Sequence, residues 1–278
     1  MSIMARARAK DATKGYAVDF VSSVLKLNLR QIADQKVKIL SNAGGVNPEA
    51  CAEAIRELIK ELKLDLKVSV VLGDDLMTEK SKFSELNTKE MYSNEDFPAE
   101  DKIASINAYL GAFPIAEALK SGADIVITGR SVDSAVTLGA CIYAFGWNEK
   151  EYDKLAAGSL AGHIIECGTQ STGGNFTDWE LVSKDLHQIG YPIVEVSEDG
   201  SFDCTKSKNS TGMVSFGTVA EQMLYEIGDP QAYILPDVIC DFSNVKIEET
   251  EKDKVKISGA KGYPAPNQYK VCATYADG

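Results

Sequence analysis

Strand, glycine-containing loop and helix alternate three times in the first half of the chain, and this order constrains the fold more than any other feature. Short apolar strands are predicted over residues 37–40, 68–72 and 123–128, and none of them alternates strictly between apolar and polar residues. A parallel sheet with helices on both faces requires such an order, whereas antiparallel sheets rarely show it. The sequence therefore predicts an α/β protein with a doubly wound, mostly parallel, Rossmann-like sheet.

Helices are predicted between these strands. Apolar residues spaced by three or four over 16–34 indicate an amphipathic helix. A second helix is predicted to begin at Asn47-Pro48, because asparagine is a good N-cap and proline suits the first helical position. A third helix is predicted from Ile103 to Lys120. Residues 78–101 are polar and punctuated, which is typical of a segment that runs over the surface.

The second half has a different character. A helix is predicted over 152–167. Two short strands, 192–196 and 201–205, flank an Asp-Gly turn and predict a β-hairpin. Further short strands are predicted towards the end of the chain. We therefore expect a parallel α/β core over 1–148 and an α+β lobe over 149–278, with one continuous domain as the alternative.

Composition and charge exclude several classes of protein. The formal net charge is -12 at pH 7, whereas non-specific nucleic-acid binding needs a basic surface. No apolar run reaches the roughly 18 residues of a membrane-spanning helix. The six cysteines form no C-x-x-C pair, which favours reduced thiols and a cytoplasmic location. Arg6, Arg8 and Lys10 leave a mitochondrial presequence as the alternative.

The loop after the first predicted strand supplies the first candidate site residues. In open α/β sheets, ligands bind at the carboxyl ends of the strands. Asn42, Gly44, Gly45 and Asn47 follow the first strand, and paired glycines before a helix let backbone N–H groups approach an anion. We expect this loop to bind substrate. The alternative is a turn and a helix cap only, since the loop matches neither a P-loop nor a strict GxGxxG.

Charged residues at the other two strand ends are the next candidates. Arg130 is predicted to clamp a carboxylate or phosphate with its planar guanidinium. Asp133 either orients Arg130 or caps the following helix. Asp74 and Asp75 follow the second strand, and adjacent carboxylates in a strand project to opposite sides, so at most one faces a ligand. We select Asp75, with hydroxyl binding, metal binding and a solvated turn as the open interpretations.

One face of the helix predicted over 152–167 is a further candidate site. His163, Glu166 and Cys167 are spaced by three and four, so they share one helix face. Such a face can hold a metal, couple a thiolate to an imidazole, or pack inward. The chain has only two histidines, which excludes a His-rich metal site, and no metal or cofactor is assigned. The next loop is a ligand-binding candidate formed by Gly173, Gly174 and Asn175.

Six stretches of the sequence resemble the acyclic terpene utilisation family, whose AtuA-like N-terminal domain was once known only as a domain of unknown function. The matches follow the order of the family over nearly the whole chain. Members usually begin with a further strand and a Gly-rich turn and continue past the equivalent of the last residue here. We therefore expect a chain that is truncated at both ends and lacks the first βα unit. The stretches are NAGGVNPEACAEAIREL (42–58), VVLGDDL (70–76), NAYLGAFPIAEALKSGADIVITGRSVDSAVTLG (107–139), LAAGSLAGHIIECGTQSTGGNFTDWE (155–180), GYPIVEV (190–196) and STGMVSFGTVAEQMLYEIGDPQAYILPDV (210–238).

The resemblance implies a role in bacterial pathways that degrade acyclic terpenes and related branched acids as CoA thioesters. It implies a lyase or hydrolase step on an acyl-CoA or carboxylate. Arg130 and the Gly44-Gly45 loop would bind the anionic group. Asp75 or Asp133 would act in proton transfer or metal coordination, with His163 and Glu166 as a reserve acid–base pair. The alternative is a non-catalytic subunit or scaffold that associates with an acyl-CoA carboxylase. We also expect a homo-oligomer, with no nucleic-acid and no membrane partner.

Overall fold

A computed structural model describes residues 1–276 as a mixed α/β protein. The chain divides into two compact units. Unit 1 comprises residues 1–132 together with those from Gln268 on, and unit 2 comprises Asp133–Asn267. The domain limits expected from the sequence stay a prediction, and the expected end of the second lobe at Gly278 lies outside the described residues.

The helices and strands are short, and several one-turn 3-10 helices connect them. The first half contains α1 (Ser2–Lys10), a π-helical segment (Phe20–Leu25) continuous with α2 (Lys26–Gln35), β1 (Ile39–Ser41), α3 (Pro48–Leu62), β2 (Val68–Val71), α4 (Lys80–Glu85), β3 (Ile103–Ala108), α5 (Phe113–Lys120), β4 (Ile125–Thr128) and α6 (Ala135–Phe145). The second half contains α7 (Tyr152–Glu166), β5 (Pro192–Val196), β6 (Phe202–Lys206), α8 (Phe216–Leu224), β7 (Tyr233–Ile234), β8 (Ile239–Asp241), β9 (Lys246–Glu251), β10 (Lys254–Ser258), β11 (Lys261–Tyr263) and β12 (Val271–Tyr275). The 3-10 helices span Met77–Glu79, Glu100–Lys102, Gln170–Thr172, Trp179–Leu181 and Leu186–Gln188.

A parallel three-stranded sheet with the order β1-β4-β2 forms the centre of unit 1. Ile125 of β4 pairs with Ile39 on one side and with Val68 on the other. All four residues of β4 are buried, as expected of a central strand that is covered on both faces. The parallel pairing of the three predicted strands is therefore confirmed. The doubly wound arrangement around them is not confirmed and stays a prediction.

The core of unit 1 joins this sheet to α2, α3 and the π-helical segment. Asn47 caps α3 as predicted, and Pro48 occupies its first turn. Each large apolar side chain buried here contributes roughly 1.5–3 kcal/mol relative to exposure. The buried cluster consists of Val21, Leu25, Leu29, Ala43, Cys51, Ile55, Leu58, Ile59, Ile125 and Ile127.

The helix predicted from Ile103 to Lys120 is wrong in its first half. Residues 103–108 form β3, and the helix α5 begins only at Phe113. β3 pairs antiparallel with β12, so that Ala108 lies opposite Val271. The apolar spacing of this segment resembles a helix, but a strand partner that is distant in sequence decides its conformation.

Unit 2 contains two antiparallel sheets and the helices α6, α7 and α8. The predicted hairpin of β5 and β6 is confirmed, and it extends into a sheet of the order β5-β6-β10-β9. The other sheet has the order β11-β8-β7. Every residue of α7 from Leu155 to Ile164 is buried. Gly262 of β11 lies so close to α7 that a Cβ atom there would stand 2.0 Å from the carbonyl oxygen of Tyr152.

Candidate functional site

A buried imidazole and a carboxylate meet near the C-terminal end of α7 in unit 2. His163 Nδ1 lies 2.9 Å from Oε1 of Glu166, although the two groups are not aligned as a hydrogen bond. Only 1% of His163 is exposed. Its Nε2 makes no hydrogen bond with any residue that the structure describes. The helix spacing predicted from the sequence therefore brings these two side chains together, and Nε2 is a buried ring nitrogen whose hydrogen-bonding capacity is unused within the described residues.

Gln222 and Cys167 extend this cluster. Nε2 of Gln222, on α8, donates to the backbone carbonyl of His163 at 2.8 Å, while its buried Oε1 has no partner within the described chain. The Cys167 thiol lies 3.9 Å from Glu166 Oε1. Burial, and then the negative charge of Glu166, raises the pKa of the Cys167 thiol. A thiol that stays protonated is a poor nucleophile, so the geometry disfavours the thiolate interpretation.

Tyr233 stands beside the imidazole. Its ring centroid is 5.9 Å from that of His163, with the two planes tilted by 56°. Burial, and then the charge of Glu166, raises the pKa of Tyr233, so its hydroxyl remains a proton donor. Asp133 is exposed, and its charge contributes to raising the pKa of both Tyr233 and Cys167. Unit 2 therefore holds Asp133 and Glu166 within electrostatic range of Tyr233 and Cys167.

The sequence patterns did not identify two members of the cluster, Gln222 and Tyr233. Gln222 lies three residues after the buried Val219 on an amphipathic helix, and this polar residue on the apolar face is a signal that could have identified it. Tyr233 lies in a two-residue strand, and no local pattern distinguishes it from the other tyrosines. Its place beside His163 follows only from the pairing of β7 with β8.

The glycine loop that follows α7 forms a compact turn. The N–H groups of Gly173 and Gly174 donate to the carbonyl oxygens of Gln170 and Thr169, at 2.9 and 2.8 Å. Gly173 has a φ of +105°, which favours glycine. Asn175 is exposed. The two glycine N–H groups are thus already occupied, and a ligand-binding role for this loop stays a prediction.

Asp74 is the buried carboxylate at the strand ends of unit 1. Its Oδ2 accepts from the backbone N–H of Arg130 at 2.7 Å and from Asn107 Nδ2 at 2.9 Å. Burial raises the pKa of Asp74, and these hydrogen bonds offset part of the rise. A Cβ at Gly129 would lie 2.4 Å from Asp74 Oδ1, so only glycine leaves room for the carboxylate.

The neighbouring charged residues have other partners. Asp75 pairs with Arg8 at 3.2 Å and is 44% exposed. The guanidinium of Arg130 lies 4.4 Å above the centre of the Tyr109 ring, as in a cation–π contact. Asp74 and Asp75 thus point to different surroundings, as predicted for adjacent carboxylates. The anion-clamping role of Arg130 stays a prediction.

The loop Gly44-Gly45 forms a turn that leads into the N-cap of α3, and its role in substrate binding stays a prediction. The N–H groups of Gly45, Val46 and Asn47 all donate to backbone carbonyl oxygens of unit 1, at 2.8 to 3.2 Å. The Asn47 side chain also donates to two carbonyl oxygens of the segment after α1, at 2.7 and 2.9 Å. Asn42 is exposed. This arrangement favours the turn interpretation over the anion-binding one, because few N–H groups of the loop are left for a ligand.

Metal clusters and membrane-spanning helices are both absent from residues 1–276. No group of three or more His, Cys, Asp or Glu side chains in this part of the chain is arranged to hold an ion. Each helix of the same part is too short or too polar to cross a bilayer.

Comparison with known proteins gives one match. The family model described as acyclic terpene utilisation family protein AtuA matches residues 1–278. The match confirms the resemblance that the six sequence stretches indicate. Neither the curated proteins nor the solved structures contain a significant match to the chain.

Proposed function

The chain belongs to the acyclic terpene utilisation family, and on that basis we propose that it is an enzyme that transfers a proton on a branched-chain carboxylate or its CoA thioester. Family membership implies involvement in acyclic terpene utilisation. One observation supports the chemistry: the buried imidazole of His163 lies 2.9 Å from Glu166 while its Nε2 has no partner among the described residues. The proposed step is general acid–base catalysis, as in a lyase or hydrolase reaction.

Glu166 is proposed to orient the imidazole and to stabilise its protonated form. A carboxylate beside Nδ1 keeps the neutral ring's proton on that nitrogen, so Nε2 retains its lone pair. When Nε2 takes a proton from the substrate, the nearby carboxylate offsets the new positive charge. The low dielectric of a buried site strengthens this interaction relative to water. His163 is therefore the proton-transferring group, and Glu166 acts through it.

Tyr233 is proposed to donate a hydrogen bond to the oxygen that gains negative charge. Burial raises the pKa of Tyr233, so the phenol keeps its proton at neutral pH. The thiol of Cys167 also stays protonated and is not assigned as a nucleophile. These two directions favour proton transfer over a covalent thioester intermediate. Asp133 is proposed to add to the negative charge that keeps Tyr233 and Cys167 protonated.

Deuterium exchange tests this proposal. We expect the protein in D2O to exchange the protons next to the carbonyl of 3-methylbutanoyl-CoA, or to release free CoA from it. His163→Gln should slow the reaction by about 10²–10⁴-fold, because positioned acid–base groups contribute on that order. His187→Gln is the matched control, since His187 is the other histidine and is exposed. NMR of the substrate and a thiol assay for CoA measure the two rates.

The opposite result has a definite meaning. The thioester and free 3-methylbutanoate could bind and raise the unfolding temperature of both variants equally. If neither compound then exchanges its protons with solvent, and the thioester is not hydrolysed, the acid–base proposal is wrong. The non-catalytic subunit that associates with an acyl-CoA carboxylase then becomes the better account. Circular dichroism of His163→Gln establishes first that the variant is folded.

A further inference from the structure

A groove of about 400 Å³ lies within unit 1, between helix α1 and strand β3. This volume is within the range of about 300–1,000 Å³ that small-molecule sites occupy. The polar side chains that line it are Arg8, Asp75, Thr78, Ser105 and Asn107. Only Ala5 of α1 is buried, so the helix covers the groove with few apolar contacts. The groove therefore combines the size of a ligand site with a lining of both polar and apolar side chains.

Asn107 has an unused acceptor. It is 1% exposed, and its Nδ2 donates to Asp74 at 2.9 Å. Its Oδ1 is buried and accepts no hydrogen bond from residues 1–276. The hydroxyl of Ser105, two residues earlier on β3, shares a hydrogen bond with Thr274 at 2.6 Å, in which either hydroxyl can be the donor. A buried acceptor without a partner is unfavourable, and a ligand that donates a hydrogen bond to it would remove this penalty.

Arg8 has unused donors in the same groove. Its hydrogen bonds within the described chain, to the Val46 carbonyl and to Asp75 Oδ2, both use Nη1. The remaining edge, Nε and Nη2, has the fork geometry that suits a carboxylate. Asp75 is itself held by the N–H of Met77 at 3.0 Å, so it stays on the Nη1 side of the guanidinium. The groove thus offers one buried acceptor and one bidentate cationic donor.

We infer that this groove binds a small hydroxycarboxylate, whose hydroxyl donates to Asn107 Oδ1 and whose carboxylate is held by Arg8. A carboxylate without a hydroxyl leaves the Asn107 oxygen unpaired, and an alcohol without a carboxylate leaves the Nε–Nη2 edge of Arg8 unoccupied, because Asp75 contacts only Nη1. Only a ligand with both groups satisfies the two sites. All lining residues belong to unit 1. The inference therefore stands independently of the chemistry proposed for His163.

Three matched ligands test the inference on the unaltered full chain. We expect 3-hydroxybutyrate to move the side-chain amide resonance of Asn107 in a saturable way, because hydrogen bonding at Oδ1 changes the shielding of the attached NH2. Butyrate lacks the hydroxyl and methyl 3-hydroxybutyrate lacks the charge. Each should bind at least about tenfold more weakly than 3-hydroxybutyrate, and tenfold corresponds to about 1.4 kcal/mol of binding free energy. NMR of the 15N-labelled protein measures all three titrations, with the resonance assigned by its loss in Asn107→Ser.

A pair of variants on α1 provides the control. Arg8→Gln should weaken 3-hydroxybutyrate binding by about tenfold or more, since hydrogen bonds between two charged groups are stronger than those of a neutral amide. Arg6→Gln removes the same charge from the exposed side of the same helix and should leave binding unchanged. Equal binding of the three ligands, or no shift of the Asn107 resonance with any of them, overturns the inference. Equal affinity in Arg8→Gln and Arg6→Gln overturns the assigned role of Arg8.

Discussion

Replacing Asp74 by alanine is expected to lower the free energy of unfolding by about 2–5 kcal/mol, because two buried donors lose their acceptor and each unpaired donor costs about 1–3 kcal/mol. The donors are the backbone N–H of Arg130 and Nδ2 of Asn107, and both contact the same carboxylate oxygen. Asp74→Asn is the matched control, since one amide oxygen can accept both hydrogen bonds. Urea unfolding of the two variants measures the difference. Equal losses in both would show that the carboxylate charge, not the acceptor, is needed.

The wild type and Asp74→Asn are also expected to differ in the pH dependence of their stability. Burial raises the pKa of Asp74 above 3.8, so between 3.8 and the raised pKa the folded state holds a proton that the unfolded state releases. Stability falls with rising pH wherever the folded state binds more protons. We therefore expect the wild type to lose stability relative to Asp74→Asn as pH rises above about 4, and to match it below. A difference that shrinks with rising pH contradicts the assigned direction.

Gly262→Ala is expected to destabilise unit 2 by about 1–3 kcal/mol or more, because overpacking forces the backbone to move. The added Cβ would stand 2.0 Å from the Tyr152 carbonyl oxygen and 2.3 Å from its carbon, and these are backbone atoms that cannot rotate away. The contact also lies next to the hydrogen bond from the Gly262 N–H to Asp153, at 3.0 Å. The substitution should therefore loosen the join between β11 and α7.

Gly228→Ala is the matched control for this prediction. No atom lies within 4 Å of a Cβ built at Gly228, and its φ is not in the left-handed region. Alanine there should stabilise the protein by about 0.4–1 kcal/mol, through the lower entropy of the unfolded chain. Thermal unfolding of both variants measures the contrast. Gly262→Ala with an unchanged unfolding temperature would mean that β11 can move away from α7 without loss.

Local patterns predicted those parts of the fold that depend on near neighbours in sequence. Strands β2 and β4 and the β5–β6 hairpin were predicted from short apolar runs and a turn. The segment 103–108 was misassigned because its apolar residues carry a helix-like spacing and its strand partner is β12. Pairing over such a distance has no local signal, so propensity was overridden by tertiary context.

The same distinction applies to the candidate site. His163 and Glu166 could be paired in advance, because residues three apart on a helix are neighbours. The sequence could not predict which N–H groups of the Gly44-Gly45 loop remain for a ligand. The Val46 N–H, for example, donates to the carbonyl oxygen of Gly15, which is distant in sequence. Polar loops indicate where a ligand can bind, but long-range hydrogen bonds decide which donors are left.

The pairing of β3 with β12 also sets the order in which the two units can complete their folding during synthesis on the ribosome. Residues 133–267 form a continuous unit, so unit 2 can complete its contacts while unit 1 still lacks its last strand. Until Val271 emerges and pairs with Ala108, that edge of β3 presents unpaired N–H and C=O groups, which invite association with other nascent chains. Strand β12 therefore completes a sheet whose other strand, β3, is synthesised before all of unit 2, and translation that stops after Asn267 should yield a product prone to aggregation.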